Sequence, residues 1–515
     1  MAKTSKSGKK ANKKVVSGGL GTVIVVIVLI IAIFFVYISG ILPSTVTGVS
    51  IKETLPDGTV KTVRNFNILE TNLHFKEVFN QYSSYGMVTE DMLDVIYDTE
   101  KNETYRDMLL REAASQMRTM ALVERAAKES GFIEMSKARD FAAADLESLD
   151  SIAKMYGYQS AQQYMAALYG TGMTTRKYIE YSSREILVEE YGAYLKQFDP
   201  AIVPSDEAIQ AKYNEDPSSY MTVTFNNYFI SGADSAGNAT ALSLAEAVAE
   251  AQKIADASKG KDSAYFRQAV MDYLTAQGDE ETLAGYDNLA DPTLYKNYTY
   301  ASVSYMNADI CDFLYGDAVA GDVKVTETDK GAYVTLLVEK KLNDTQTVAY
   351  RTLTLTNDVA SQADATPEQI LAGAQAIAND ATAKYVSGSM DSLAFYNLVK
   401  SETTNTQDML TGGYNSGVTA ESLLSSSSDA PLDTTKVEMG MWLFDEARQQ
   451  GDIKVFISSD QTQVYVLYFE FSAPAWYNTA RNTITSDNFN AWNASLSAND
   501  PRYEVNQGLI RALVY

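Results

Sequence analysis

The stretch Asp309–Val325, DICDFLYGDAVAGDVKV, ends in a segment that occurs a second time in the chain. Gly321-Asp-Val-Lys-Val325 returns as Gly451-Asp-Ile-Lys-Val455, 130 residues later, and an apolar run follows each copy. The other matches have nearly the same offset and are Asp262-Ser-Ala-Tyr-Phe266 with Asp391-Ser-Leu-Ala-Phe395, and Gly285-Tyr286-Asp287 with Gly413-Tyr414-Asn415. Self-similarity at one offset indicates a duplicated structural unit.

The two copies share one predicted order of elements. A first strand, Val223–Ile230 or Val348–Leu355, precedes a long helix and then the D-S-x-x-F helix. A loop with Gly-Tyr, a short helix, a Gly-Asp turn and a closing strand pair follow. The sequence thus predicts an α+β protein with two tandem α/β units, at residues 221–342 and 346–473.

A mostly helical domain is predicted before these units, at residues 43–220. It begins with a β-hairpin, because alternating segments flank Pro56-Asp57-Gly58. Helical periodicity follows over residues 66–198, for example from Tyr105 to Lys128. The tail, residues 474–515, has Trp476, Phe489 and Trp492 at the spacing of one apolar helix face.

The N-terminus combines a basic tail with a long apolar segment. Residues 1–19 contain six lysines and no acid, and Leu20–Leu42 contains no charged residue. A helix of this length spans a hydrocarbon core of about 30 Å. The positive-inside rule then keeps the N-terminus in the cytoplasm and places residues 43–515 outside it. A cleaved signal peptide is the alternative interpretation.

Charge and composition exclude several classes of function. The formal net charge is −24 although the first residues are basic, so the rest of the chain repels phosphate backbones and nucleic acid is not an expected partner. One histidine and one cysteine do not suffice for an ordinary structural zinc site or an intramolecular disulfide. No glycine-rich nucleotide loop is present. We expect no cofactor and no metal, with His74 as a helix-surface or packing residue and Cys311 as a small buried apolar residue.

The chain resembles a known family of envelope proteins. Asp309–Val325 and Met441–Val455 are similar to the most specific parts of parvulin-type peptidyl-prolyl isomerase domains. The region 66–220 resembles the helical N-terminal domain of SurA/PrsA-like foldases, through Gly131-Phe-Ile-Glu-Met-Ser, Tyr164–Thr174 and Val203–Pro217. The resemblance implies that residues 474–515 return to pack on helices within 66–198. It departs from the lipid-modified members, because no cysteine comes directly after the apolar segment.

The resemblance also implies a catalytic site that this chain lacks. Active parvulins have two facing histidines, one in the first strand and one in the last. By alignment the first-strand position is Tyr228 in one unit and Thr352 in the other, and the last-strand position is Tyr333 and Tyr465. We therefore expect no catalytic residue of the usual kind, although the resemblance leaves an isomerase with an atypical site as an alternative.

Methionine is concentrated in the helical region. Nine of the 17 methionines lie between Met87 and Met173, and flexible thioethers suit surfaces that bind many apolar partners. The alternative is an ordinary helical core. The candidate residues for binding an unfolded client are Met117, Met120, Met155, Met165, Met173, Tyr286 and Tyr414.

Together these features predict a membrane-anchored extracytoplasmic chaperone or foldase. Its expected partners are unfolded or partly folded exported polypeptides, and residues 20–42 would hold it in the cell membrane. The alternatives are an active isomerase with an atypical site, or a scaffold that docks one envelope partner. A pull-down separates the chaperone, which has many unrelated clients, from the scaffold, which has one stoichiometric partner.

Protease added to intact cells tests the predicted topology. It should remove the large C-terminal part and spare a fragment that contains the apolar segment, because residues 50–515 are expected outside the cytoplasm. A cytoplasmic protein monitored in the same cells controls for lysis. Full protection of residues 50–515 until the cells are permeabilised would contradict this orientation.

Overall fold

A computed structural model of the protein describes residues 41–233, 238, 242–286, 291–386, 390–424 and 433–514. They form two compact units. The first extends to Tyr194 and adds Met409–Thr411 and residues from Asn490 onward, and the second comprises Leu195–Asp408 and Gly412–Phe489. The predicted basic tail 1–19 and membrane segment 20–42 lie outside the described residues, except for residues 41 and 42. Among the described helices, none has the length and apolar character of a membrane span.

The strands and helices are numbered in chain order. The strands are β1 (Thr47–Thr54), β2 (Val60–Asn67), β3 (Ile96–Asp98), β4 (Glu103–Thr104), β5 (Met221–Ser231), β6 (Leu294–Thr299), β7 (Val323–Thr328), β8 (Gly331–Leu342), β9 (Gln346–Thr356), β10 (Tyr414–Thr419), β11 (Ile453–Ile457), β12 (Gln463–Pro474) and β13 (Arg502–Val505). The helices are α1 (Ile41–Thr45), α2 (Ile68–Ser84), α3 (Tyr105–Glu129), α4 (Ala138–Met155), α5 (Ala161–Tyr169), α6 (Thr175–Phe198), α7 (Asp206–Glu215), α8 (Leu244–Ser258), α9 (Ser263–Gln277), α10 (Glu280–Ala284), α11 (Tyr300–Ser304), α12 (Ala308–Tyr315), α13 (Pro367–Ala381), α14 (Ser392–Glu402), α15 (Thr406–Thr411), α16 (Ala420–Leu424), α17 (Thr434–Leu443), α18 (Ala475–Ser495) and α19 (Gln507–Val514).

The first unit begins with the predicted hairpin. Strands β1 and β2 pair antiparallel around the Asp57-Gly58 turn, where Gly58 has φ +83°. Strand β13, from the C-terminus, pairs with the other edge of β1 and gives a three-stranded sheet of order β13-β1-β2. One face of this sheet packs on α3, where Val49 and Ile51 contact Met117 and Ala121 in a buried cluster.

Helices α2 and α3 have the caps and the apolar faces that the sequence indicates. Asn67 accepts a hydrogen bond from the amide of Glu70 at the start of α2. Thr104 and Asp107 form a reciprocal capping box at the start of α3. The predicted apolar face of α3 is buried, with Leu109 and Ala113 fully enclosed against α2. The 3.6-residue periodicity is thereby confirmed for this helix.

The C-terminal tail is divided between the two units. Trp492 packs on Tyr191 with ring centroids 5.9 Å apart, and Ile510 of α19 is buried against α2 and α3 in the first unit. The earlier part of α18 belongs to the second unit, where Ala480 packs with Ile209 and Tyr220. The expectation that all of residues 474–515 pack on helices within 66–198 therefore needs correction, because the apolar face of α18 covers α7 as well.

The second unit contains two four-stranded antiparallel sheets with the same strand order, β6-β5-β8-β7 and β10-β9-β12-β11. The sequence repeat thus corresponds to a structural repeat. We call residues 221–342 the first repeat and 346–473 the second repeat. The edge strands β6 and β10 were not predicted, since the sequence suggested loops there.

The repeated D-S-x-x-F motif is explained by its three contacts. Asp262 and Asp391 are the N-caps of α9 and α14, and their side chains accept hydrogen bonds from helix amides. The phenylalanines, Phe266 and Phe395, are fully buried beneath the sheets. The serines donate to carboxylates inside each repeat, Ser263 to Asp291 and Ser392 to Glu470.

The repeated Gly-Asp motif forms the same turn in both repeats. Gly321 and Gly451 have φ +93° and +94°, a region that only glycine enters without strain. The amide of Gly321 donates to the carbonyl of Leu337, and the amide of Leu337 donates to the carbonyl of Asp322. Gly451, Phe469 and Asp452 make the equivalent pair of bonds. The motif therefore sets the register at the start of each closing strand pair.

Replacing Ile510 with alanine tests the contribution of the C-terminus to the first unit. Ile510 is 4% exposed in the α2–α3 cluster, so its truncation should lower the free energy of unfolding of that unit by about 2–4 kcal/mol. Hydrogen exchange of β1 amides in dilute urea reports this unit alone. Leu509→Ala is the matched control, because the neighbouring Leu509 is 39% exposed. Equal protection of β1 in both variants would contradict the packing of α19.

Candidate functional site

Each sheet of the second unit has two different faces. In the first repeat, α8 and α9 cover one face, with Ala251 and Phe266 against Ile230 and Val334. On the opposite face, α12 packs through Leu314 against Phe225 and Leu337. The second repeat has the same arrangement, with α13 and α14 on one face and α17 on the other. We call the faces that pack on α12 and α17 the α12 face and the α17 face.

Tyr228 and Tyr333 lie on opposite faces of the first sheet. Tyr228 opposes Val334 across β5 and β8 and packs on the face covered by α8 and α9, where its ring centroid lies 6.1 Å from that of Tyr273. Tyr333 opposes Phe229 and belongs to the α12 face. The expectation that Tyr228 replaces the first-strand histidine opposite Tyr333 is wrong, because a shift of one residue along a strand reverses the face of its side chain.

The strand register identifies Asn227 as the counterpart of Thr352. Phe229 opposes Tyr333, and Thr354 opposes Tyr465, so residues two positions earlier on each first strand are Asn227 and Thr352. Asn227 is buried and accepts a hydrogen bond from Thr335 Oγ1 at 2.9 Å. Its side-chain oxygen is thus already occupied within the sheet.

The α17 face brings together the polar groups of the second repeat. Thr354 Oγ1 donates to Asp408 Oδ2 at 2.5 Å, and the Tyr465 hydroxyl donates to Gln463 Oε1 at 2.5 Å. Burial raises the pKa of Asp408 above its usual value. Burial, together with the charges of nearby aspartates, raises the pKa of Tyr465.

The α12 face of the first repeat is aromatic instead. Phe225 stacks on Tyr295 at 5.1 Å, and Tyr298 meets both rings edge-on. At the end of β5, Phe229 and Tyr333 contact each other at 4.7 Å, and Phe229 is 36% exposed. Gly331 leaves room for this ring, since a Cβ there would lie 2.9 Å from Phe229 Cζ and 2.0 Å from the carbonyl oxygen of Ile230.

Four of the five candidate methionines for client binding are core residues. Met117, Met120, Met165 and Met173 are between 0% and 6% exposed, in clusters formed by the helices of the first unit. These four side chains are packed in the core of this conformation, so they do not lie at its surface as client-binding residues would. Met155 is different, since it is 81% exposed at the end of α4.

The two candidate tyrosines also have different environments from those expected. Tyr286 is 4% exposed in the core beneath the first sheet, so it is not a surface residue. Tyr414 begins β10, is half-buried, and its hydroxyl accepts a hydrogen bond from Arg481 at 3.3 Å. Their similar motifs do not make them structural counterparts, because Leu294 pairs with Asn226 where Tyr414 pairs with Arg351.

A buried ionic cluster in the second repeat was missed by the sequence analysis. Arg351 is 1% exposed and its Nε is 2.5 Å from Glu470 Oε1. The guanidinium also donates to Gln197 Oε1, the Gly412 carbonyl and Ser392 Oγ. An arginine and a glutamate inside otherwise apolar strand patterns were the available signal. Losing one partner of such a pair costs about 3–5 kcal/mol, so the cluster is a structural constraint.

The single histidine and the single cysteine are far apart in the sequence and belong to different units. His74 is 5% exposed on α2 of the first unit, so the predicted packing position is found rather than a helix surface. Cys311 is 1% exposed on α12 of the second unit, and burial raises the pKa of its thiol. The expectation of a small buried residue is confirmed for Cys311.

Comparison with known proteins adds no assignment. No protein-family model matches the chain, and no curated protein matches it.

The geometry of the two faces predicts that neither repeat accelerates prolyl isomerisation. Catalysis has to lower a barrier of about 18–20 kcal/mol, and no imidazole lies on either face. A proline-peptide isomerisation assay on the full chain, and on residues 221–342 and 346–473 separately, provides the measurement. Clear acceleration that is lost in Tyr465→Phe or Tyr333→Phe would contradict the prediction and favour the atypical isomerase.

Proposed function

We propose that the protein is a membrane-anchored extracytoplasmic chaperone that binds unfolded segments of exported polypeptides. The observation that carries the proposal is the aromatic pair Phe229–Tyr333 at the open end of the α12 face. An unfolded chain exposes apolar side chains and unpaired strand edges. Partly exposed aromatic rings bind such chains through large apolar contacts that do not require one sequence.

The size of this contact supports weak and reversible binding. Enclosing a fully exposed large apolar side chain contributes about 1.5–3 kcal/mol. Phe229 is only 36% exposed and Tyr333 is half-buried, so the two rings supply a modest part of a micromolar affinity of about 8 kcal/mol. The remaining contacts would come from other exposed apolar residues. Tyr300, Tyr305 and Met306 lie in the same repeat before α12 and are 36–92% exposed.

The net charge and the N-terminal sequence support the rest of the proposal. The apolar segment 20–42 and the lysines before it are the basis for anchoring at the membrane. The acidic remainder keeps a client-binding protein soluble and repels nucleic acid. Chaperoning by binding requires no catalytic group, which agrees with the absence of histidine from both repeats.

Suppression of aggregation by the full chain tests this proposal. The double variant Phe229→Ser/Tyr333→Ser should suppress the aggregation of a diluted, chemically unfolded client about fivefold less effectively, because the exposed parts of the two rings together contribute roughly 1 kcal/mol when a client encloses them. Light scattering over a range of chaperone concentrations gives the comparison.

The control for this experiment is Tyr265→Ser in the same repeat. Tyr265 is 56% exposed on α9, which covers the opposite face of the sheet. Circular dichroism and thermal unfolding show whether the variants remain folded. Equal suppression by the double variant and the wild-type protein, or equal loss in the control, would rule out the α12 face as the binding surface.

A further inference from the structure

A cavity that is not part of the α12 face or the α17 face lies among α2, α3 and α6 of the first unit. It encloses about 300 Å³, and its walls include His74, Met117, Met120, Glu185 and Glu189. The only histidine of the chain therefore lines a cavity together with two acidic side chains. None of the residues that line this cavity, as far as the chain is described, is a lysine or arginine.

The imidazole of His74 has one nitrogen occupied and one without a partner. Nδ1 lies 3.0 Å from Glu77 Oε2, one turn along α2. Nε2 is buried and has no hydrogen-bond partner among the described residues. The whole residue is 5% exposed. Buried polar atoms in native structures are almost always satisfied, so an orphaned nitrogen indicates a group that the protein atoms alone do not supply.

The charged side chains around Nε2 indicate whether its missing partner is a cation or an anion. One atom each from His74, Glu77 and Glu185 can be chosen so that all three lie within 4.8 Å of one another. Glu189 lines the same cavity and adds a further carboxylate. These acidic side chains attract a cation.

We propose that His74 and Glu185 bind a divalent transition-metal cation in this cavity. His74 contributes Nε2 and Glu185 contributes a carboxylate oxygen, the mixed nitrogen and oxygen donors that Zn²⁺ accepts at about 2.0–2.2 Å. Glu77 holds the ring through Nδ1, in the arrangement by which a carboxylate commonly orients a metal-binding histidine. Mg²⁺ and Ca²⁺ prefer oxygen ligands alone, so an imidazole disfavours them.

The cavity has the further groups that such an ion needs. Glu185 is exposed on α6, so its side chain is free to swing toward Nε2. Glu189, one turn further along α6, and Gln116 of α3 offer oxygen atoms at the cavity wall. The remaining volume accommodates water as a ligand. This site joins α2 to α6 within the first unit and does not depend on the proposed chaperone function.

Isothermal titration calorimetry of the untagged full chain in detergent, with ZnCl₂ as the titrant, tests the site. A polyhistidine tag has to be absent, because it would bind the metal itself. We expect one Zn²⁺ per chain, no comparable binding of MgCl₂, and a Kd weakened about 10–100-fold by Glu77→Gln. Glu185→Gln should weaken binding by more, because it removes a ligand.

Two controls keep the result interpretable. Glu129→Gln changes an exposed glutamate at the end of α3 and should leave the Kd unchanged. Circular dichroism and hydrogen exchange establish that the variants fold, and visible absorption of bound Co²⁺ reports imidazole coordination, which His74→Gln should remove. Zn²⁺ binding that is equal in wild-type protein and Glu185→Gln, or no binding by the wild-type chain, would overturn the proposal.

Discussion

Strand β13 pairs with β1 through Val49–Lys52 and Arg502–Val505, and the organisation of the chain follows from this contact between its two ends. Val49 and Ile51 are fully buried, so strand β1 needs β13 beside it and α3 beneath it. The whole second unit is therefore inserted between parts of the first unit. Closing so long a loop costs entropy that grows only slowly with its length. This entropy cost slows folding, because a contact between residues so far apart in the sequence forms late.

Within the second unit, the duplicated parts that stayed alike are those that fix the backbone. The Gly-Asp turn keeps its left-handed glycine and both of its hydrogen bonds, and the D-S-x-x-F helix keeps its cap and its buried ring. Side chains at equivalent interior positions have diverged. Asn226 donates to Asp291 and Thr293 in the first repeat, where Arg351 pairs with Glu470 in the second. The fold thus tolerates either an asparagine that donates to an aspartate or an arginine paired with a glutamate at this interior position.

The features predicted correctly from the sequence are those that local sequence patterns determine. The features that were missed depend on packing between residues far apart in the sequence. The hairpin, the α3 face and the repeated strand order followed from turn chemistry and periodicity. Tyr228 was assigned to the wrong face because an apolar strand buried on both sides has no alternation to fix its register. The edge strands β6 and β10 are six residues each and lack a clear pattern. The composition of the chain does not distinguish buried methionines from exposed ones. Only the packing shows that Met165 is buried and Met155 is exposed.

The α12 face and the α17 face of the two repeats carry different side chains. The two faces carry Tyr333 and Tyr465, the last-strand tyrosines predicted from the sequence to replace a histidine, yet one face is aromatic and the other carries the Asp408–Thr354 pair. Two equal catalytic sites would require the same groups on both faces. Under the proposed function, two different faces on one fold would widen the range of side chains that a bound chain can present, because the first repeat offers aromatic rings and the second carries polar groups. A protein that binds many sequences weakly gains from such a difference, whereas an enzyme with one transition state to stabilise does not.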